Sequence, residues 1–190
     1  MTFENAAWPR RTERLVIRPA TPADLPAVFG YRSLDGVGTW MPSRPTGYDE
    51  WLLRMDGPSY LERTLVVELD GELVGDLYLR VNDAWAQAET DEADWKGSQA
   101  EIGWCLSPTH QGHGYATEAV AELVRVCFEE LGLRRLTAEA FAANEPSLRV
   151  MEKVGMRREA LHRRESLHRD LGWSDSVVYA LLRDDWQAPG

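Results

Sequence analysis

Cysteine is scarce in this chain. The 190 residues hold two, Cys105 and Cys127, too few for a disulfide scaffold. No long apolar run occurs, so no transmembrane helix is expected. The segment from Met1 to Arg14 has no apolar stretch of the kind a signal peptide needs. A reducing cytoplasm is the expected compartment. Lysine is nearly absent as well: Lys96 and Lys153 are the only two, and every other basic residue is arginine. Basic residues number 21 against 31 acidic ones, a formal charge of −10. Nucleic-acid binding draws on massed cations, and membrane-surface binding on a basic face, so neither class of partner is expected. No Gly-x-Ser-x-Gly and no His-Glu-x-x-His is present, so a serine hydrolase and a zincin lack support.

Apolar material is plentiful. Hydrophobic residues make up 44% of the chain, with 8 Trp, 6 Tyr and 4 Phe, which excludes a disordered polyelectrolyte. The length suits one domain with a core of its own, here expected over residues 1–190 with its core about 12–186. The charge is unevenly spread. Residues 1–133 carry a net −11 and residues 134–183 a net +3, a split that fits one cationic and one anionic partner.

Residues 15–19 read as a short strand ended by Pro19. Thr21, Pro22 and Asp24 then start a helix running to about Ser33, with Thr21 as its cap. Residues 34–47 read as a loop and 48–55 as a second helix. Residues 64–69 and 73–81 form a hairpin across Asp70-Gly71. A polar connection over 82–97 leads to a strand over 100–106, whose alternation places Ile102, Trp104 and Leu106 on one face and Glu101, Gly103 and Cys105 on the other. The clearest helix is 115–131, with Ala116, Ala119, Val120, Leu123, Val124, Cys127, Phe128 and Leu131 as its apolar stripe. A strand over 135–141, a helix over 146–154 and a strand over 176–182 follow. The order predicts an α/β (α+β) fold with one mixed, mostly antiparallel sheet of about seven strands flanked by helices.

The stretch Gln111-Gly112-His113-Gly114-Tyr115-Ala116 lies between a strand and the long helix. Its glycines let the backbone turn sharply and approach a ligand closely. The free amides of a helix start then favour an anion. The pattern is neither a Walker loop nor the dinucleotide fingerprint. Gln-x-x-Gly-x-Ala in this setting resembles the acyl-CoA pyrophosphate signature of the GNAT N-acetyltransferases. Ala100 to Trp104 looks like that family's fourth strand. Asn144 to Met156 resembles its N-x-x-S-x-x-x-x-x-K-x-G-F block, with Met156 in place of the usual phenylalanine. Residues 14–19 and 179–186 resemble the RimJ/RimL-type subfamily, which acetylates the N-termini of ribosomal proteins.

The resemblance implies acetyl transfer from acetyl-CoA, a co-substrate, to a primary amine by direct attack in a ternary complex, with no metal. The amine is a protein N-terminus or a small cationic molecule; an antibiotic acceptor, a longer acyl group and a non-catalytic acyl-CoA sensor stay open, as does a homodimer. Gln111, Gly112, His113, Gly114, Tyr115, Ala116 and Thr117 are the candidate diphosphate ligands. Backbone groups near Leu106 pair with the pantetheine arm and supply an oxyanion donor. Glu101 is the candidate general base, since an ammonium must lose its proton before attack; Glu165 and His168 are its rivals. Ser147 is the candidate acid toward the leaving thiolate, with a capping role beside it and Tyr115 as a substitute. Asn144 bonds the pantetheine arm or steers the chain into the helix at 146–154. Arg149 and Lys153 face the CoA 3′-phosphate or plain solvent. Cys105 admits an acyl-enzyme route that no adjacent histidine supports. His110 and His113 lack partners at metal spacing. Trp40, Trp51 and Trp85 are acceptor-site aromatics or ordinary core and surface.

Overall fold

The computed structural model describes residues 6–55 and 58–187. In chain order the elements are β1 (Arg10–Arg11), β2 (Leu15–Pro19), α1 (Leu25–Arg32), α2 (Asp35–Gly38), α3 (Tyr48–Arg54), α4 (Pro58–Leu61), β3 (Thr64–Leu69), β4 (Glu72–Asn82), α5 (Glu92–Trp95), β5 (Gln99–Leu106), α6 (Tyr115–Glu129), β6 (Arg135–Phe141), α7 (Glu145–Lys153), β7 (Arg157–His168) and β8 (Gly172–Leu182). The strands form one mixed sheet in the order β1-β2-β3-β4-β5-β6-β8-β7. It has eight strands where about seven were expected. The β5–β6 pairing is parallel, while β1–β2, β2–β3, β3–β4, β6–β8 and β8–β7 are antiparallel. Among the described residues no helix is long and apolar enough to cross a membrane.

By contacts the chain divides into two compact units. The first comprises the residues up to Leu79 with Trp104–Leu123, the second Arg80–Gly103 with the residues from Val124 on. In the first unit the hairpin turns at Asp70 and Gly71, both at positive φ (50° and 84°), as a two-residue turn of this type requires. Val28, Tyr31, Val37, Trp51, Val66 and Cys105 form a buried cluster. Arg32 crosses to Asp76 as a two-pronged ion pair, and the Tyr31 hydroxyl donates to the same carboxylate. A buried carboxylate is tolerable only with such partners.

Thr21 is the N-cap, as expected, but of a 3-10 turn over residues 22–24 that precedes α1. Asp24 accepts from the Thr21 amide and from the Thr21 hydroxyl, each at 2.8 Å, while Arg18 grips it with two N–H groups at 2.8 Å. The Asp24 carboxylate, at the third position of the turn, thus bonds back to the N-cap residue. Short helices at 35–38 and 92–95 lie where the sequence reads as a loop and a polar connection, and another covers 58–61.

In the second unit β7 is the element that periodicity fails to reveal. Arg157–His168 is almost wholly exposed and lies at the sheet edge. Its register shifts between Arg158 and Ala160 and again between His162 and Ser166. Bulges of this kind destroy the period of two on which recognition of a strand depends. Its partner β8 starts at Gly172, earlier than the expected Ser176. Arg135 and Glu159 pair, and the Tyr179 hydroxyl donates to Glu152 at 3.1 Å.

Replacing Asp24 with Asn is expected to cost about 2 kcal/mol of stability near neutral pH. The Arg18 hydrogen bonds, more than any other group, hold the Asp24 carboxyl at about 2, below the ~3.9 of an unfolded aspartate. A depressed native value stabilises fully above ~4, and the stabilisation disappears as pH falls toward the native value. Urea unfolding of wild type and Asp24→Asn across this range checks it: the gap closes only on acidification.

Candidate functional site

In the first unit the end of β5 and the start of α6 are built around one turn. The Ser107 amide bonds the Val74 carbonyl at 2.9 Å. Gln111 folds back, and its Nε2 donates to the Leu106 carbonyl at 3.0 Å. The Gln111 side chain thus fastens the strand end, and the Leu106 carbonyl, a candidate partner for pantetheine, already accepts this bond. The chain enters α6 through Gly112 (φ 81°) and Gly114 (φ 84°), a conformation glycine adopts without penalty. A Cβ on Gly112 meets nothing within 4 Å, so the space beside the turn at this residue is open. The Glu118 amide makes the first bond of the α6 ladder, to the Gly114 carbonyl at 3.0 Å. The amides of Tyr115, Ala116 and Thr117 precede that ladder and have no intrahelical acceptor. The arrangement can take an anion such as a diphosphate.

The turn is held from outside by the segment before β2. Glu118 accepts from the Thr12 hydroxyl at 2.5 Å, from the Arg14 amide at 2.9 Å and from Arg14 Nε at 2.8 Å. Arg14 Nη1 donates to the His113 carbonyl at 3.1 Å, and the guanidinium lies 4.6 Å from the centre of the Tyr115 ring. Tyr115 also stacks with His113, ring centres 5.7 Å apart. Its ring is thus part of the wall of the turn. Partial burial pushes the Glu118 carboxyl up, but the Thr12 and Arg14 hydrogen bonds outweigh it and leave a carboxylate below its usual range.

Cys105 is 6% exposed. Burial, and after it the Asp76 charge, pushes its thiol up to about 12, so a thiolate nucleophile is disfavoured there. Trp51 is core, packed 5.7 Å from Phe29 and 5.8 Å from Tyr60 by ring centres, and it also lines a shallow pocket with residues 43–46 and Glu50. Trp40 is half-buried, whereas Trp85 is 87% exposed. His110 Nδ1 lies 3.0 Å from the Thr109 hydroxyl.

The second unit carries the remaining candidates. Glu101, on β5 opposite Thr137 of β6, is ion-paired with Arg80. That pairing gave no signal in the sequence, and it must loosen for Glu101 to work as a base. Glu165 Oε2 accepts from Ser166 at 2.8 Å and from Ser176 at 3.1 Å. These two bonds, Ser166 first, hold its carboxyl below the usual range, which makes it a weaker base. His168 is buried, and its Nδ1 accepts from the Asp170 and Leu171 amides at 3.1 Å each, with Phe141 edge-on. It shapes the β7–β8 turn. Asn144 is the N-cap of α7, its Oδ1 3.4 Å from the Ser147 amide, so the steering role is the one its oxygen fills. Ser147 sits half-buried in the first turn. Arg149 pairs with Glu145 one helical turn away, in keeping with a solvated face. Among the described residues one group, Glu139, His162 and Glu165, brings potential metal-ligand atoms within 4.8 Å of one another; all three are exposed, and no metal role is assigned to them.

With this geometry in place, the class of protein follows from comparison. A profile of the acetyltransferase (GNAT) domain matches residues 14–157, and the chain belongs to that family. The uncharacterized N-acetyltransferase YnaD of Bacillus subtilis is 40% identical over 86 residues, which is 45% of this chain and 50% of YnaD. The chain thus spans about half the length of this curated relative. An acetyltransferase (GNAT family) structure from Bacillus anthracis is 31% identical, with a TM-score of 0.75 and 92% of this chain and 98% of that one covered. Mycobacterium smegmatis RimJ, solved with a CoA disulfide, is 26% identical with a TM-score of 0.70, covering 90% of this chain and 82% of that one.

The strand end that leads into the turn tolerates no side chain beside it. A Cβ on Gly75 would overlap Leu106 Cδ2 and stand 2.6 Å from the Cys105 carbonyl oxygen. The backbone oxygen cannot give way as a flexible side chain can. Gly75→Ala is expected to destabilise by about 1–3 kcal/mol, read as a lower urea midpoint at unchanged slope.

Proposed function

We propose that the protein is an acetyl-CoA-dependent N-acetyltransferase that acetylates a primary amine, a protein N-terminus or a small cationic molecule, by direct attack in a ternary complex, with residues 12–186 acting as one acyltransferase domain. The observation that carries this reading is the turn at the head of α6. Two positive-φ glycines and three amides ahead of the helical ladder form an open site for the CoA diphosphate. Family membership supports the acyl donor, and the RimJ neighbour with a CoA disulfide supports CoA as the ligand of this fold.

The backbone of residues 112–117 binds the diphosphate in this account, with Gln111 fastening the strand end behind it. A backbone N–H at the end of β5, near Leu106, stabilises the oxyanion that develops on the thioester carbonyl. Glu101 takes the proton of the acceptor ammonium, directly or through a water, once Arg80 loosens its hold. The neutral amine then attacks the carbonyl carbon and the carbon–sulfur bond breaks. Ser147 passes a proton to the departing thiolate and recovers one from the attacking nitrogen as the amide forms, and Asn144 keeps the first turn of α7 in place. The carboxylate excess of residues 1–133 favours cationic acceptors by long-range attraction.

Thiol release from acetyl-CoA, measured over a panel of amines and N-terminal peptides, tests the reading. Turnover with at least one amine supports it, and CoA binding without turnover on any of them points to an acyl-CoA sensor instead. Glu101→Gln is expected to lower turnover about 10²-fold near neutral pH with CoA affinity kept. The loss eases as pH rises, because the free amine then forms without help. Unchanged turnover at neutral pH places the base elsewhere.

A further inference from the structure

Arg14 stands at the mouth of the glycine turn although 99 residues separate it from His113. Its Nη2 lies 3.5 Å from the point where a Cβ on Gly114 would sit, so its charge is beside the backbone amides of the turn. The side chain is 40% exposed, open to a ligand. Nothing in the acetyl-transfer chemistry described above uses it.

Three features give it a task. The first is Glu118, a carboxylate in the opening turn of α6. There it is favoured by the helix dipole but repels any second anion that arrives at the same end. Arg14 neutralises it, Nε at 2.8 Å and Nη2 at 2.7 Å from Oε2. The second is the His113 carbonyl, which Nη1 holds at 3.1 Å. That bond turns a peptide oxygen in the middle of the turn onto the guanidinium. The third is the donor count. A guanidinium has five N–H donors. Contacts to Glu118 and His113 use one on each nitrogen, so Nη1 and Nη2 each keep a proton for a further acceptor. The forked geometry matches phosphate oxygens.

We infer that Arg14 is a positioning residue of the acyl-CoA cradle: it neutralises Glu118, fixes the turn through the His113 carbonyl and offers its remaining N–H donors to the diphosphate. This inference rests on the reading of the turn as an acyl-CoA site. Thr12 completes the device. Its hydroxyl bonds Glu118 at 2.5 Å and accepts from the Leu15 amide at 3.0 Å, which ties the segment before β2 to α6.

Calorimetric titration of CoA into four full-length proteins tests it: wild type, Arg14→Met, Arg14→Lys and the double variant Arg14→Met/Glu118→Gln, each with its thermal unfolding midpoint recorded. Arg14→Met is expected to raise the Kd for CoA about tenfold or more. Arg14→Lys keeps the charge without the fork and recovers part of the loss. The double variant also recovers part, because the carboxylate left bare in Arg14→Met is gone. A role confined to folding predicts instead that affinity follows the unfolding midpoint, with no recovery in the double variant. Binding by Arg14→Met within about twofold of wild type overturns the inference, as does the absence of recovery in both other variants. A wild-type protein that does not bind CoA overturns the reading of the turn itself.

Discussion

As the proposed acyl-CoA site, the head of α6 has to satisfy two opposed demands. Its first amides must stay without protein acceptors, since a hydrogen bond within the protein would remove them from ligand binding. The turn that presents them must nevertheless be ordered, since a mobile loop would spend binding energy on its own immobilisation. The structure meets both by holding the turn through atoms other than those amides. Gln111 holds the preceding strand end through the Leu106 carbonyl, and Arg14 holds the His113 carbonyl. Both anchors use carbonyl oxygens, so the donors of Tyr115, Ala116 and Thr117 are left over.

A second constraint is the handling of buried charge in the first unit. Asp76 is 1% exposed and carries three bonds from Tyr31 and Arg32. These fasten α1 to β4 with a satisfied network rather than a lone charge. Its negative charge is also one reason why the neighbouring Cys105 thiol is held protonated, after burial itself. The same arrangement that secures α1 therefore disfavours a thiolate at this cysteine. Asp24 is handled alike, with Arg18 on one side and Thr21 on the other.

What was legible in the sequence was what local spacing encodes. The glycine turn and its helix were readable because two glycines, a helix start and an apolar stripe lie within twenty residues. Ala119, Val120, Leu123, Val124, Cys127 and Phe128 are all buried as that stripe requires; Val126 is buried too, outside the stripe. The hairpin at Asp70-Gly71 was readable for the same reason. Long-range pairing was not. Arg14 meets Glu118 across 104 residues and Arg80 meets Glu101 across 21, with nothing local to announce either. β7 was hidden by its charges and bulges, which erase alternation at an exposed edge. His168 is a rival candidate base in the sequence, and in the structure its Nδ1 is the acceptor for two turn amides, a role that only the folded backbone defines.

The backbone amides at the head of α6 are proposed to form the CoA diphosphate site. Amide chemical shifts in a nitrogen-15 labelled sample, followed as CoA and then pantetheine are added, test it most directly. The account predicts large shifts at Gly112, Gly114, Tyr115, Ala116 and Thr117 with CoA, and much smaller ones with pantetheine, which has no diphosphate. CoA binding that leaves these five amides unmoved would contradict it.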